Sequence, residues 1–389
     1  MTRAVNGNRV VLLETGDEYF PVLEQAFDAA IEEIHLEAYI FADDPTGRRI
    51  AEALARAARR GVRVRLLVDG FGAANLRPAL RDVLEPAGVS ILVFRPEIGR
   101  FRLRRNRLRR MHRKLAVIDQ RIGFCGGINI LDDRDGHGGG TPPRFDYAVR
   151  VEGPMVVDMH RAVRRLWNLV AWTRAGRRTS LRMDRCPPQP VYADGLRAAF
   201  VVRDNLRNRR TIEEAYLEAI TRAEHEVFIA NPYFLPGMRL RRALREAVER
   251  GVRVRLLMQG KREYFWVHYA IRALHGTLLA AGLEIHEYTA SWLHAKVAVI
   301  DGRWSTVGSS NIDPFSLLMA REANVVVDDE PFARSLRASL EAAMVAGSVA
   351  IRRESLAARA WSDRLLSWIA IGMARIVGGV IGTSSLESE

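Results

Sequence analysis

One eight-residue string occurs twice in this chain. Arg-Gly-Val-Arg-Val-Arg-Leu-Leu stands at 60–67 and returns unchanged at 250–257. Two further segments repeat in the same order. His-Arg-Lys-Leu-Ala-Val-Ile-Asp at 112–119 becomes His-Ala-Lys-Val-Ala-Val-Ile-Asp at 294–301, and Gly126-Gly-Ile-Asn129 becomes Gly308-Ser-Ser-Asn311. Three matches at near-constant offset mean a duplicated domain. Stacked repeat arrays have periods of roughly 20–50 residues, far shorter than this. Whatever the chain builds, it builds twice and packs the copies together.

Each copy alternates helix and strand. In the first, Thr46 is a plausible N-cap for a helix running to Arg60, with apolar residues at helical spacing. Gly61 stops it. Val62 to Val68 then alternates apolar with arginine and reads as a strand. In the second copy Arg239 to Arg250 is the helix, Gly251 the stop and Val252 to Met258 the strand. Such alternation predicts the α/β class, with helices on the faces of a sheet. The basic, proline-rich stretch 176–192 has no periodicity and marks the boundary. The expected division is a first domain over 1–175, a linker over 176–192, a second domain over 193–350 and a terminal segment over 351–389.

The repeated motif carries chemistry. His112 and Lys114 lie two apart in a run that reads as a strand, so the imidazole and the ammonium share a face. Asp119, seven residues on, faces the other way in a regular strand and is placed to close the strand end. His294, Lys296 and Asp301 repeat the pattern. Gly127 and Ser309 follow as small residues that let a ligand approach the backbone, and Asn129 and Asn311 add an amide each. Joined about a pseudo-twofold axis, the halves present two histidines, two lysines and two asparagines. That set suits a phosphodiester: cations and amides hold the non-bridging oxygens, one histidine attacks phosphorus and the other protonates the leaving alkoxide. Only three lysines, at 114, 261 and 296, stand among 59 basic residues. In so arginine-rich a chain, a lysine marks a position that needs a compact point charge rather than a planar fork.

These residues resemble the phospholipase D superfamily, whose His-x-Lys-x4-Asp pattern occurs twice per chain with Gly-Gly/Ser and Asn downstream. Within it the sequence is most similar to the bacterial cardiolipin synthases that lack N-terminal membrane helices. The stretches that carry the likeness include Ile34 to Phe41, Arg110-Met-His-Arg-Lys-Leu, Gly126-Gly-Ile-Asn-Ile, Val151-Glu-Gly-Pro, Leu293-His-Ala-Lys and Val307 to Asp313. The resemblance covers about 10–345. It implies two phospholipase D-like α/β/α domains packed with pseudo-twofold symmetry and an active site at their interface. It also implies a phosphohistidine intermediate and neither metal nor cofactor. Transferred onto this sequence, the two motifs are the catalytic set, with His112 the nucleophile and His294 the general acid. The implied activity moves a phosphatidyl group to the hydroxyl of phosphatidylglycerol; a hydrolase or nuclease of the same superfamily is the alternative.

Each histidine needs a carboxylate to fix its tautomer. Glu322, at the polar start of Arg-Glu-Ala-Asn-Val-Val-Val, matches the point where the family carries one, although Arg321 stands where the family has Asn. In the first half the matching strand is Phe145 to Val151, which makes Asp146 the candidate.

The rest of the chain bears on partners. The net charge is +13, and eight arginines fall between Arg100 and Arg113. Such a stretch draws anionic headgroups. With Phe101 alone as an aromatic, it gives little support to base stacking, so nucleic acid is disfavoured. Leu365 to Gly382 is apolar except for Arg375, too short for a bilayer span, and suits a helix lying in the headgroup zone or packing on the protein. Tyr264 to Leu274 is a second apolar segment that reads equally as lipid entrance or core. No secretory signal core is present at the N-terminus, and Cys125 and Cys186 make no disulfide framework or zinc knuckle. The expected setting is cytoplasmic and peripheral on the cell membrane, with anionic phospholipid as partner.

Overall fold

The computed structural model describes residues 4–72, 78–96, 109–134, 142–175, 187–204, 208–313, 320–357, 363, 365–370 and 372. The first half contains β1 (Val5–Glu14), α1 (Thr15–Asp28), β2 (Glu33–Ala38), α2 (Pro45–Arg59), β3 (Arg63–Asp69), α3 (Pro78–Leu84), β4 (Ser90–Phe94), β5 (Arg110–Met111), β6 (Leu115–Ile118), β7 (Ile122–Gly126), β8 (Tyr147–Glu152) and α4 (Val156–Ala175). The second contains β9 (Leu196–Arg203), α5 (Thr211–Arg222), β10 (Glu226–Ala230), α6 (Met238–Glu249), β11 (Arg253–Gln259), α7 (Phe265–Ala280), β12 (Glu284–Tyr288), β13 (Val297–Ile300), β14 (Trp304–Gly308), β15 (Ala320–Asp328), α8 (Glu330–Gly347), β16 (Ser348–Ile351) and α9 (Arg353–Ala357).

The two halves have the same strand order, read outward from a common seam. On one side it runs β1-β8-β7-β6-β2-β3-β4, on the other β9-β15-β14-β13-β10-β11-β12. β1 and β9 pair antiparallel at the seam, so the two units share a single sheet. The outer three strands of each half are parallel and the rest antiparallel. β16 adds an antiparallel strand outside β12, so the segment expected to begin at 351 starts within the sheet.

Three cores hold this together. α1, α2 and α3 bury leucine, alanine and phenylalanine against the first half of the sheet. α5, α6 and α7 do the same in the second half. A third cluster joins the copies: Val117, Tyr147 and Val149 pack in the same group as Val297, Val307 and Val325, beneath α4 and α8. Each such side chain contributes about 1.5–3 kcal/mol by leaving water. The site therefore sits on a junction that cannot open without exposing the central core.

Local expectations hold with small shifts. The repeated helix spans Pro45–Arg59 rather than starting at Gly47, and Asp44, not Thr46, caps it: its carboxylate accepts from the Gly47 N–H at 2.7 Å, with Pro45 in the first turn. Aspartate outbids threonine there because proline follows it, preset for the helix. Gly61 and Gly251 both stop their helices at φ +91°. His112, Arg113 and Lys114 lie between β5 and β6 rather than inside one strand. Backbone pairing changes partner there, from β15 on one side to β2 and β7 on the other.

Candidate active site

The histidines are placed by backbone pairing across the two copies. The His112 N–H donates to the Arg321 carbonyl at 2.9 Å. The His294 N–H donates to the Phe145 carbonyl at the same distance. In each case the residue after that carbonyl is a carboxylate. The Nδ1 of His112 lies 3.0 Å from Oε1 of Glu322, and the Nδ1 of His294 lies 2.6 Å from Oδ2 of Asp146. The carboxylates are thus crossed: each histidine is oriented by the acid of the other copy. A carboxylate accepts, so Nδ1 carries the hydrogen and Nε2 presents its lone pair.

The carboxylates are themselves held. Ser309 donates its hydroxyl to Glu322 at 2.5 Å. Asp146 accepts the Tyr147 N–H at 2.8 Å, and beside it stands Gly127, where a Cβ would come within 2.3 Å of Oδ1. The small residues predicted after each motif strand therefore lie against the orienting acids.

Lys114 and Lys296 are buried and bend back so that each ammonium donates to the carbonyl of its own motif histidine. Lys114 also sits 5.1 Å above the Tyr39 ring, whose edge packs on His112 with centroids 4.6 Å apart. Asn129 and Asn311 are buried, and in both the side-chain carbonyl oxygen has no protein partner. Asp119 and Asp301 lie elsewhere, at strand ends with φ near +50°. The Asp119 carboxylate accepts the N–H groups of Ile31, Glu32 and Glu33, and Asp301 those of Glu224, His225 and Glu226. They brace the entry to β2 and β10 and touch neither histidine.

Burial dominates the electrostatics. It pulls the Lys114 ammonium down to about 7, with Glu322 opposing, and the Lys296 ammonium down to about 8, with Asp146 opposing. It pushes the Asp146 carboxyl up to about 6, with Lys296 opposing. Both imidazoles are held below the ordinary histidine range, first by burial. For His294 the cations Lys296, Lys114 and Arg144 add to that; for His112 the Glu322 charge works against it. Two buried ammonium groups held below their ordinary value stand beside the histidines, and a bound anion would favour their charged forms.

Three contributors escaped sequence reasoning. Asp69 and Gln259, equivalent positions ending β3 and β11, brace the residue before each histidine. Asp69 accepts the Met111 N–H at 2.8 Å, and Gln259 donates to the Leu293 carbonyl. Tyr39 is the third. Asp69 and Gln259 end strands far from the motifs in the chain, and Tyr39, though within the Ile34 to Phe41 stretch, follows β2 with no local pattern to tie it to His112. Among the described residues one group could ligate a metal: Glu33, His35 and His160, all buried. Arg65 lies 3.2 Å from His35 Nε2 and Arg63 lies 3.4 Å from Glu33, so cations already occupy that corner. The basic stretch 97–108 and the glycine-rich stretch 135–141 lie outside the described residues.

Residues 23–134 and 216–344 match the family described as cardiolipin synthase, phospholipase D-like domain. The chain belongs to this family. Cardiolipin synthase B of Escherichia coli K12 is 39% identical over 378 residues, covering 97% of this chain and 90% of that protein. Its counterpart in Salmonella typhi is 38% identical over 386 residues, with the same coverage. The crystal structure of a phosphatidylserine synthase from Haemophilus influenzae superposes with a TM-score of 0.71 at 12% identity, covering 96% of this chain and 95% of that one, which shows the fold. Among the described residues of this family member, no helix is long and apolar enough to cross a membrane.

Proposed function

We infer that the protein is a phospholipase D-type phosphatidyltransferase that makes cardiolipin from phosphatidylglycerol at a membrane surface, from its cytoplasmic side. The observation that carries this is the crossed pairing of two Nδ1-anchored imidazoles beside two buried lysines. His112 Nε2 attacks the phosphorus of one phosphatidylglycerol. The P–O bond to the headgroup glycerol breaks, and His294 gives its proton to the departing alkoxide. The phosphatidyl group is now on His112. A hydroxyl of a second phosphatidylglycerol then attacks phosphorus, loses its proton to His294 and frees His112. The products are cardiolipin and glycerol.

The protein's part is electrostatic and positional. Lys114 and Lys296, with the amides of Asn129 and Asn311, hold the non-bridging oxygens where charge builds in the transition state. The substrate's negative charge relieves the cationic field on His294, so the acid gains its proton as the lipid binds. Transfer prevails over hydrolysis if the lipid alcohol enters and water does not.

The test is incubation of the full chain with vesicles of headgroup-labelled phosphatidylglycerol. Labelled glycerol should appear in step with cardiolipin, and a chelator should leave the rate unchanged. Phosphatidic acid as the sole lipid product would make the protein a hydrolase. Cleavage of an oligonucleotide with no turnover of lipid would overturn the lipid reading.

A further inference from the structure

α7 is a core helix at one end and an exposed one at the other. Tyr269, Ile271, Leu274 and Leu278 are buried, yet Tyr264, Phe265 and Trp266 at its start stand about half in water. The carboxy-terminal segment lies against this end. The Tyr269 hydroxyl donates to Asp363 at 3.2 Å, and Leu366 and Ala370 pack with Tyr269 and Ala270. What this segment buries is unusual. Ser367 and Ala370 are turned in, at 9% and 2% exposed, while Trp368 is 78% exposed and Leu365 and Ile369 are 49% and 41% exposed. A helix packed to satisfy its own hydrophobicity would bury the tryptophan and expose the serine. Here the large apolar groups of two adjoining elements face outward together.

The start of α7 leads from the active site: five residues before Tyr264, Gln259 donates to the carbonyl of Leu293, the residue before His294. Tyr264 stacks edge-on with Tyr233 at 5.8 Å, and Tyr233 donates its hydroxyl to Glu263. Arg262, exposed, lies two residues before Tyr264, with Glu263 between them held by the Tyr233 hydroxyl.

Resting on the lipid reading above, we propose that Tyr264, Phe265, Trp266, Leu365, Trp368 and Ile369 form one docking face that seats on an anionic phospholipid bilayer and holds the mouth of the catalytic cleft against it. Tyrosine and tryptophan are amphipathic and settle at the headgroup level, while leucine, isoleucine and phenylalanine reach the acyl boundary. Lys261 and Arg262, just ahead of the aromatics, outnumber Glu263 and complement an anionic leaflet, as does a chain of net charge +13. A bilayer is favoured over a second protein because the cleft these residues border takes a substrate that resides in one.

The experiment uses the full chain, vesicles of equal parts phosphatidylglycerol and phosphatidylcholine, and co-sedimentation at high salt, where the contribution of exposed charge is screened. Trp266→Ser and Trp368→Ser should each weaken binding about fivefold, and the pair more than about twentyfold, by loss of interfacial apolar area. Trp172→Ser, which removes another half-exposed tryptophan on α4, should change nothing. Turnover of vesicle lipid by the double variant should fall further than turnover of dispersed short-chain phosphatidylglycerol. Wild-type binding by a folded double variant overturns the proposal, as does equal loss in Trp172→Ser. A wild type that ignores vesicles but self-associates through these tryptophans makes a second copy the occupant and also overturns it. If wild type binds vesicles through this face yet turns over neither form of the lipid, the catalytic reading fails and the docking face stands.

Discussion

The half-site around His112 and the half-site around His294 have the same backbone frame and different walls. Both histidines donate backbone N–H to the opposite copy, and both lysines fold back onto their own histidine's carbonyl. Around them the chemistry diverges. Between His112 and Lys114 stands Arg113, buried and bidentate on Glu37 at 2.8 and 2.7 Å. Between His294 and Lys296 stands Ala295, and the strand position matching Glu37 is Ala230. Glu322 is steadied by the Ser309 hydroxyl, Asp146 by a backbone N–H with only a glycine alongside. Lys114 and Lys296 act on both histidines; Arg144 adds to them at His294, whereas at His112 the Glu322 charge opposes them. The comparison teaches that duplication set where the histidines and lysines stand, while the surroundings, which were not duplicated, leave room for different roles.

The largest effects should come from the histidines. His112→Ala and His294→Ala should each cost about 10⁴-fold or more in kcat. They should part when the leaving group no longer needs a proton. With phosphatidyl-p-nitrophenol, release of the phenol should return in His294→Ala and stay absent in His112→Ala. Rescue of the His112 variant instead would exchange the two roles.

The buried ion pair is the next place to press. Glu37→Ala leaves Arg113 buried and uncompensated, and should cost about 3–5 kcal/mol in denaturant unfolding. Glu37→Ala with Arg113→Ala, which imitates the other half, should cost much less than the sum of the two single changes. Additive losses would mean that the pair is not coupled.

Lys114→Arg and Lys296→Arg should each lower kcat about 10²–10³-fold, because a planar fork does not replace a point charge in so closed a site. Lys261→Arg should stay within about twofold. Similar activity in all three variants would remove the argument drawn from the scarcity of lysine.

The small residues should respond unequally. At Gly127 any side chain meets Asp146, which cannot yield without moving His294, so Gly127→Ser should cost about 10²-fold in kcat. Ser309→Gly removes one hydrogen bond from Glu322, worth about 0.5–1.5 kcal/mol and so about tenfold at most in kcat, while the Ala323 N–H bond it also loses falls on stability. Steady-state kinetics on the two variants decides; the reverse order would contradict the crowding at Gly127.

The smallest signal is a proton. The ammonium groups sit at about 7 and about 8 in the empty site, below their ordinary value of 10.5. A bound anion raises them again, so binding must take up protons between about pH 8 and pH 9. Titrating inorganic phosphate calorimetrically, in buffers of different ionisation enthalpy, should show uptake of about one proton per site. Proton release would reverse the sign and refute the desolvation account.

Much of this architecture was legible in the residues. The repeat established two copies, the helix-to-strand alternation named the class, and the spacing of His112, Lys114, His294 and Lys296 marked out residues that the structure brings together. Glu322 and Asp146 were legible as carboxylates at strand starts. Their crossing was not, since Glu322 serves a histidine 210 residues earlier and Asp146 one 148 residues later. Asp69, Gln259 and Tyr39 were invisible for the same reason, as was the Glu33, His35 and His160 corner. The Tyr264 to Leu274 segment read evenly as core or entrance, and the structure buries Tyr269, Ile271 and Leu274 while leaving Tyr264, Phe265 and Trp266 exposed.

By itself, then, the sequence determined what recurs locally: periodicity, helix stops, and the residue types that two neighbouring strands hold side by side. These follow from backbone geometry over a few residues, which any copy of the string will repeat. Only the tertiary structure decided which carboxylate meets which histidine, where a buried arginine is neutralised, and which apolar residues of the terminal segment are left facing out. Those outcomes depend on strands that pair across the seam between the copies. A hydrogen bond of 3 Å between groups 210 residues apart is decided by which edges of the sheet meet, and no local pattern records that.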